Sequence, residues 1–290
     1  MMEYILYTVF TVLFIWLTLN IYMYLFGYKH AFNFYHNNDI PSNFGIDMNY
    51  KFLTSSSYDS DVLLWYKKPK AGKPTIVYFH GRSDSLGWRS SRYNEYIKKG
   101  YGLVASSYFY NGSKNKKPVE KIIISDGHHI LNWVVSELRI KKKDIVLYGE
   151  SFGCAVASKI ASSNNKYRGL VMEVPFYNMY RMFVIGAKKM LGFFHYIFPV
   201  IKIFVGYEFD NAKNLKKVNI PVLIGGAQKD AVTPFNHSVE LYEVANTPKK
   251  HITFKDRRHM ELYDTKDWVN EVCDFAEKGL GKIKKQKKII

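Results

Sequence analysis

Short apolar runs alternate with helix-like stretches along most of this chain, and this alternation constrains the fold more than any other feature. The runs are rich in β-branched residues and cover residues 75–79, 102–105, 144–148, 170–174, 221–224 and 251–254. Stretches with helical spacing lie between them, at residues 90–99, 125–138, 152–161, 234–245 and 265–278. Runs of this length fit strands that are buried on both faces. The order therefore predicts an α/β fold, with a mostly parallel central sheet and helices on both of its faces.

Two further segments help to delimit the folded domain. Residues 50–54 and 62–66 alternate in polarity and flank a turn-like stretch, which predicts an antiparallel hairpin. Residues 177–219 break the alternation and are rich in Phe, Met, Ile and Tyr. We interpret them as a short helical cap over the carboxyl edge of the sheet, although helices that only pack on the core would have the same composition. The domain is predicted to span residues 46–280, after a polar linker at residues 29–45.

The N-terminal segment, residues 1–28, is predicted to be a transmembrane anchor. Residues 4–28 contain no charged side chain, and a helix of about 23 residues reaches roughly 35 Å, enough to cross a bilayer. A cleaved signal peptide would begin with basic residues and end at a small-residue site, but this chain begins Met-Met-Glu-Tyr and no Ala-x-Ala follows. A buried core helix is the other alternative, but such helices are seldom apolar on every face. Glu3 precedes the span and Lys29 and Lys51 follow it, so the positive-inside rule places the folded domain in the cytoplasm.

The strongly basic composition restricts the partners. The net charge is +17, from 42 Lys and Arg against 25 Asp and Glu, a balance that suits nucleic acid, anionic lipid or simple solubility. No zinc-finger spacing or GxxxxGK loop accompanies it, so we expect membrane lipids and no nucleic acid as partners. The basic C-terminal tail, residues 281–290, either touches lipid head groups or is a solvated end. Cys154 and Cys273 are too few for a disulfide framework and are expected to be buried free thiols.

Ser151 is the candidate nucleophile. It lies in Gly149-Glu150-Ser151-Phe152-Gly153, between a predicted strand and a predicted helix, where a sharp turn would expose its hydroxyl. The short pattern also arises by chance, but its place between strand and helix makes it specific. The backbone N–H of Phe152, at the amino end of the helix, would face a developing oxyanion. The second candidate oxyanion donor is the N–H of Arg82, after the strand-ending His80-Gly81.

A serine hydroxyl needs a base to react, and chains with this elbow order their triad as Ser, acid, His. His259 follows the last predicted strand and is our candidate base. The other histidines after Ser151 lie in the cap, on a helix and at the start of a strand: His195, His237 and His251. Asp230 follows the preceding strand and would orient the imidazole, unless it instead caps the next helix. Asp256 is a rival acid that lies too close to His259 in sequence.

These motifs together resemble those of the α/β-hydrolase superfamily. More narrowly, the chain resembles the ABHD-type (Bem46-like) serine hydrolases that carry one N-terminal membrane helix. The narrower resemblance is carried by Pro118-Val119-Glu120 with Asp126, Phe198-Pro199, Phe209-Asp210-Asn211 and Glu261-Leu262-Tyr263, and it runs from about residue 50 to residue 278. The chain departs from the family at Cys154, at Arg257-Arg258 and at residues 108–112. These departures leave the catalytic groups in place and bear on substrate preference.

The resemblance implies an α/β-hydrolase fold and a serine hydrolase that works through a Ser151–His259–Asp230 triad and an acyl-enzyme. We expect an ester or thioester substrate and no metal or organic cofactor. The anchor and the apolar cap favour a lipid or an acylated protein. Two alternatives remain open: a serine peptidase or amidase with the same triad, and a membrane-tethered binding protein without turnover.

Overall fold

The computed structural model describes residues 1–31, 40–55, 61–82, 85–108, 120–205, 207–262, 265–280 and 285–290. Several residues used above lie outside this part of the chain: Pro118, Val119, Tyr263 and residues 32–39, 109–112 and 281–284.

One nine-stranded sheet forms the centre of the described structure. Its strands are β1 Asn49–Thr54, β2 Asp61–Lys67, β3 Thr75–Phe79, β4 Gly102–Ser106, β5 Ile145–Glu150, β6 Gly169–Glu173, β7 Val222–Ala227, β8 Lys249–Phe254 and β9 Lys285–Ile289. They are arranged in the order β1-β2-β4-β3-β5-β6-β7-β8-β9. The β1–β2 and β2–β4 pairs are antiparallel, and the pairs from β4–β3 to β8–β9 are parallel. The predicted hairpin and the mostly parallel sheet are therefore confirmed.

The described helices are α1 Met2–Ala31, α2 Ser90–Lys98, α3 Glu120–Ser136, α4 Gly153–Ser163, α5 Met179–Leu191, α6 Asn211–Leu215, α7 Phe235–Val244 and α8 Lys266–Lys278. Helices α2, α3, α4, α6, α7 and α8 contribute residues to the clusters that cover the two faces of the sheet. Residues of α3, α4, α6 and α7 share one hydrophobic cluster with one face of the sheet. Residues of α2 and α8 share the other cluster with the opposite face. Successive residues of β3 alternate between the two clusters, as the period of a strand requires. The predicted fold class is confirmed.

The C-terminal residues differ from the prediction, because Lys285–Ile289 form strand β9 beside β8. Interpreting residues 285–289 as a solvated end was therefore wrong. The run of lysines concealed the strand, since its pairing depends on the exposed edge of β8 and not on an apolar pattern. Lys287 forms an ion pair with Glu243 at 2.9 Å and Lys288 one with Glu271 at 2.5 Å, so the charge of both side chains is matched within the protein.

Helix α1 is long and apolar enough to cross a membrane over residues Met2–Gly27, with a mean hydropathy of 1.9. It continues to Ala31, so the first residues of the predicted linker are helical, and Pro41–Phe44 form a short 3₁₀ helix.

The segment predicted to be a cap contains α5, the 3₁₀ helices Gly192–Tyr196 and Lys202–Phe204, and α6. Its C-terminal part is held by Glu120 of α3, whose carboxylate accepts the backbone N–H groups of Glu208 at 2.8 Å and Phe209 at 3.1 Å.

Candidate active site

Ser151 occupies a strained turn between β5 and α4. Its φ is +49°, a left-handed conformation that a non-glycine residue adopts only when its surroundings enforce it. A Cβ added to Gly149 would lie 2.4 Å from the Cα of Cys154, and one added to Gly153 would lie 1.9 Å from the carbonyl oxygen of Phe79. Both glycines of the motif are therefore required by close backbone approach. The turn is fixed further by the N–H of Ser151, which donates to the carbonyl of Glu173 at 2.8 Å.

The structure brings Ser151, His259 and Asp230 together. His259 Nε2 lies 3.1 Å from Ser151 Oγ, and His259 Nδ1 lies 2.6 Å from Asp230 Oδ2. The three residues follow β5, β8 and β7 respectively, and parallel strands end at the same edge of a sheet. An uninterrupted line of hydrogen bonds thus joins three side chains that are far apart in sequence.

Asp230 is held by its own loop. Its Oδ1 accepts the backbone N–H groups of Val232 and Thr233, each at 2.8 Å, and its Oδ2 accepts the Thr233 hydroxyl at 2.8 Å. The residue that precedes α7 as its N-cap is Pro234, so the alternative that Asp230 caps this helix is wrong. The rival acid, Asp256, forms an ion pair with Lys229 at 2.8 Å, and its side chain is 85% exposed.

The other three candidate histidines have different surroundings. His251 lies between the hydroxyls of Ser238, at 3.1 Å, and Thr253, at 3.2 Å. Burial, with a smaller contribution from Lys287, lowers its pKa to about 4. His237 is buried on α7, and the Nδ1 of His195 lies 2.9 Å from the carbonyl oxygen of Gly192, in the predicted cap.

The two candidate oxyanion donors lie on neighbouring elements. A Cβ on Gly153 would meet the carbonyl oxygens of Phe79 and His80, which shows that the end of β3 touches the start of α4. Arg82 is the third residue after the end of β3, and Phe152 is the N-cap residue of α4. The phenyl ring of Phe152 is buried between the rings of Tyr108, at 5.4 Å, and Phe209, at 5.0 Å. The assignment of the two N–H groups to an oxyanion hole stays a prediction.

Two buried ion pairs beneath the elbow were missed in the sequence. Glu150 accepts hydrogen bonds from Arg89 Nε at 2.6 Å, Arg89 Nη2 at 2.7 Å and the Tyr78 hydroxyl at 2.6 Å. Glu173 accepts from both terminal nitrogens of Arg92, at 2.5 and 3.0 Å. Burial raises the pKa of Glu150, but the Arg89 charge and its hydrogen bonds outweigh burial and hold that pKa at about 2.

These pairs anchor both sides of the turn at Ser151, because Glu150 precedes it and the carbonyl of Glu173 accepts its N–H. Two features of the sequence could have indicated these ion pairs. A carboxylate ends each of two apolar strands, and two arginines, Arg89 and Arg92, lie three residues apart.

Neither the cysteines nor any acidic cluster in the described residues suggests a metal centre. Cys154 and Cys273 are buried thiols, and no group of three or more His, Cys, Asp or Glu side chains within the described ranges could hold a metal ion.

Comparison with known proteins gives the chain a family. Residues 106–282 match the sequence model of the prolyl oligopeptidase family. The lysophosphatidylserine lipase ABHD12 of Danio rerio is 25% identical over 271 residues, which cover 86% of this chain and 70% of that protein. Alignments with the rat, mouse, macaque and bovine proteins of the same name cover 59% of their length.

Solved structures show the same fold at lower sequence identity. The Pyrococcus furiosus esterase Pf2001 superposes with a TM-score of 0.67 at 17% identity, over 87% of this chain and 97% of the esterase. A Pyrococcus horikoshii acylaminoacyl peptidase superposes with a TM-score of 0.60 at 19% identity, over 81% of this chain and 42% of the peptidase. Since the family match covers more than half of the sequence, this chain belongs to the prolyl oligopeptidase family and is a hydrolase with the α/β-hydrolase fold.

Proposed function

We propose that this protein is a membrane-anchored serine hydrolase that cleaves carboxylic or thiol esters of lipids or acylated proteins. Ser151 is the nucleophile, His259 the general base and acid, and Asp230 the residue that orients the imidazole. The single observation that carries the proposal is the pair of distances at His259, 3.1 Å to Ser151 Oγ and 2.6 Å to Asp230 Oδ2. Both lie within the range that proton transfer along a triad requires.

The reaction follows from this geometry. The Asp230 carboxylate, whose side chain is 1% exposed, accepts a hydrogen bond from the N–H at His259 Nδ1, which keeps the proton on that nitrogen and leaves Nε2 free to act as a base. As Ser151 Oγ bonds to the substrate carbonyl carbon, Nε2 takes the hydroxyl proton, and the N–H groups of Arg82 and Phe152 stabilise the oxyanion. Nε2 then passes the proton to the leaving oxygen or sulfur, and the acyl group stays on Ser151.

The acyl-enzyme is released by the same groups in reverse. His259 Nε2 removes a proton from water, the resulting hydroxide oxygen bonds to the acyl carbon, and the serine oxygen leaves with the proton from His259. The products are a carboxylic acid and the free enzyme, with each proton accounted for by His259.

A lipid substrate is supported by the surface of the chain and by its relatives. Helix α1 has the length and composition of a membrane span, and several large apolar side chains are exposed between Met190 and Ile203. The ABHD12 relatives are named as lysophosphatidylserine lipases, which act on a monoacyl lipid ester. The basic residues that follow the span support a cytoplasmic position for the catalytic domain.

A peptidase or amidase is the second candidate, because the matched family is named for prolyl oligopeptidase and an acylaminoacyl peptidase shares the fold. The same triad can attack an amide carbonyl, so geometry at Ser151 does not separate the two reactions. The difference must lie in the groups that bind the leaving side of the substrate.

A substrate panel tests the proposal. The purified full chain in lipid vesicles is given monoacyl phospholipids, p-nitrophenyl butyrate, an acyl thioester and an N-acylamino acid p-nitroanilide. We expect hydrolysis of the esters, much slower cleavage of the anilide, and loss of both activities in Ser151→Ala. The matched control is Ser162→Ala on the exposed end of α4, where the hydroxyl donates to the Lys159 carbonyl at 2.7 Å. Faster cleavage of the anilide than of every ester would favour the peptidase, and unchanged ester hydrolysis in Ser151→Ala would refute the nucleophile.

A further inference from the structure

One face of helix α1 is packed against the rest of the chain. Within residues 1–27, the residues that are not exposed are Trp16, Asn20, Met23 and Gly27. Spacings of four, three and four residues place them in a single stripe along the helix. The other residues of the span are exposed over its whole length, as expected of a helix surrounded by lipid.

The stripe contacts the segment predicted to be a cap. The indole N–H of Trp16 donates to the carbonyl of Pro199 at 3.0 Å, and Asn20 Oδ1 accepts the N–H of Ile201 at 3.0 Å. Near the end of the span, a Cβ on Gly27 would lie 3.4 Å from the ring of Phe183 in α5. The anchor is therefore docked on the catalytic domain and is not a detached tether.

These contacts fix the depth of residues 199–201 along the span. Asn20 and Trp16 precede Gly27 by seven and eleven residues, which is about 10 Å and about 16 Å along a helix axis. The 26-residue span is about 39 Å long, against a hydrocarbon layer of about 30 Å. The helix is thus about 9 Å longer than the layer is thick. If this whole length protruded at the Gly27 end, Trp16 would still lie about 7 Å inside the hydrocarbon.

At the level of Trp16 and Asn20, polar groups of the span and of residues 199–201 are hydrogen-bonded to one another, as polar groups in a hydrocarbon environment need to be. Asn20 is 7% exposed, and its amide also donates to the carbonyl of Trp16 at 3.0 Å. Its oxygen accepts the N–H of Ile201, and the indole N–H of Trp16 donates to the carbonyl of Pro199. An unpaired backbone group in a bilayer costs several kcal/mol. The hydrogen bonds of the Pro199 carbonyl and the Ile201 N–H to the span therefore lower the cost of placing residues 199–201 beside it within lipid.

The residues next to this contact present a large apolar surface. Met190, Phe193, Phe194, Tyr196, Ile197 and Ile203, which we call the cap tip, are each at least 55% exposed. Contiguous apolar surface of this kind marks an interaction site. Exposed lysines border it at Lys188 and Lys202, and their ammonium groups can reach anionic head groups. Continuity with α1 identifies the bilayer as the partner.

We propose that the cap tip inserts into the same bilayer as α1, in the leaflet that contains the Gly27 end of the span, so that the catalytic domain sits partly within the membrane. The insertion is connected to the catalytic edge, because Lys189 at the end of α5 donates to the carbonyl of Ala231, the neighbour of Asp230, at 2.6 Å. This places the catalytic edge close to the acyl chains of the leaflet, where a lipid ester would reach it without first entering water.

Fluorescence quenching in vesicles tests the insertion. Phe194→Cys and Ile203→Cys in the full chain carry a bimane label, and the matched control is Lys166→Cys, an exposed position before the amino end of β6. The unmodified chain, whose two cysteines are buried, gives the labelling background. The vesicles contain phosphatidylcholine and phosphatidylserine, with or without nitroxide on the acyl chain, and iodide is the aqueous quencher.

We expect nitroxide lipid to quench the Phe194 and Ile203 labels several-fold more than the Lys166 label, and iodide to show the reverse order. Equal quenching of all three labels by iodide, in protein that floats with the vesicles, would overturn the insertion and leave the anchor and the hydrolase intact. Protection from iodide without nitroxide quenching would identify a second copy of the chain as the cover and would also overturn it. Failure to float with vesicles would remove the anchor together with the insertion.

Discussion

Replacing Asp230 with Asn should invert the histidine tautomer while leaving the loop intact. Two backbone N–H groups, those of Val232 and Thr233, point at Oδ1 from 2.8 Å. An asparagine must keep its oxygen at that position, so its NH₂ group takes the place of Oδ2. The amide nitrogen then lies about 2.6 Å from His259 Nδ1, the present distance of Oδ2, and directs one hydrogen at it. The second amide hydrogen points at the Thr233 hydroxyl, which can turn and donate to the carbonyl of Val174 at 3.1 Å.

The consequence for catalysis is large because a donor at Nδ1 forces the ring proton onto Nε2. The nitrogen that lies 3.1 Å from Ser151 Oγ would then donate a proton and could no longer accept one. A tautomer inversion of this kind in a serine hydrolase triad lowers kcat by about 10⁴-fold, or about 5.5 kcal/mol of barrier. Folding should change little, since every hydrogen bond of the carboxylate has a replacement.

Initial rates with p-nitrophenyl butyrate, together with thermal melting of the same preparations, provide the assay. The matched control is Asp256→Asn, which removes an exposed carboxylate paired with Lys229 and should leave kcat unchanged. The reasoning fails if Asp230→Asn keeps more than a tenth of the wild-type kcat, or if Asp256→Asn is the variant that loses it.

Three further changes probe the surroundings of the site. Gly153→Ala would place a methyl group 1.9 Å from the Phe79 carbonyl and should lower the melting temperature sharply, by an overpacking cost of about 3 kcal/mol. Glu150→Gln leaves the buried Arg89 charge uncompensated and should cost about 3–5 kcal/mol of unfolding free energy in urea titrations; a loss below 1 kcal/mol would contradict it. Burial lowers the pKa of His251 from 6.5 to about 4, so the unfolded chain binds more protons between these values and stability falls as pH drops through that window. His251→Gln should remove up to about 3 kcal/mol of this pH dependence, and an unchanged slope would refute the assignment.

The local sequence predicts much of the sheet and of the candidate triad. Strands β3 to β8 are buried on both faces, so their residues form apolar runs in the sequence. The elbow at Ser151 is recognisable because both glycines of its short motif are required by close backbone approach, Gly149 to Cys154 and Gly153 to Phe79 at the end of β3. Asp230 and His259 follow from chain order alone, since parallel strands deliver their carboxyl ends to one edge.

The remainder depends on contacts between distant segments. Strand β9 is a lysine-rich segment whose pairing comes from the free edge of β8. The partners of Glu150 and Glu173 lie on α2 and in the turn before it, and no spacing within one element indicates which arginine meets which carboxylate. The docking of α1 through Trp16 likewise involves a carbonyl 183 positions away, so hydropathy reveals the span but not its contact.

Covalent labelling of the serine tests the central claim most directly. The full chain is treated with a fluorophosphonate probe, digested and analysed by mass spectrometry, beside His259→Ala and Ser162→Ala variants. We predict a single adduct on Ser151, strongly reduced in His259→Ala and unchanged in Ser162→Ala. An adduct on a different residue, or labelling of Ser151 that does not depend on His259, would contradict the account.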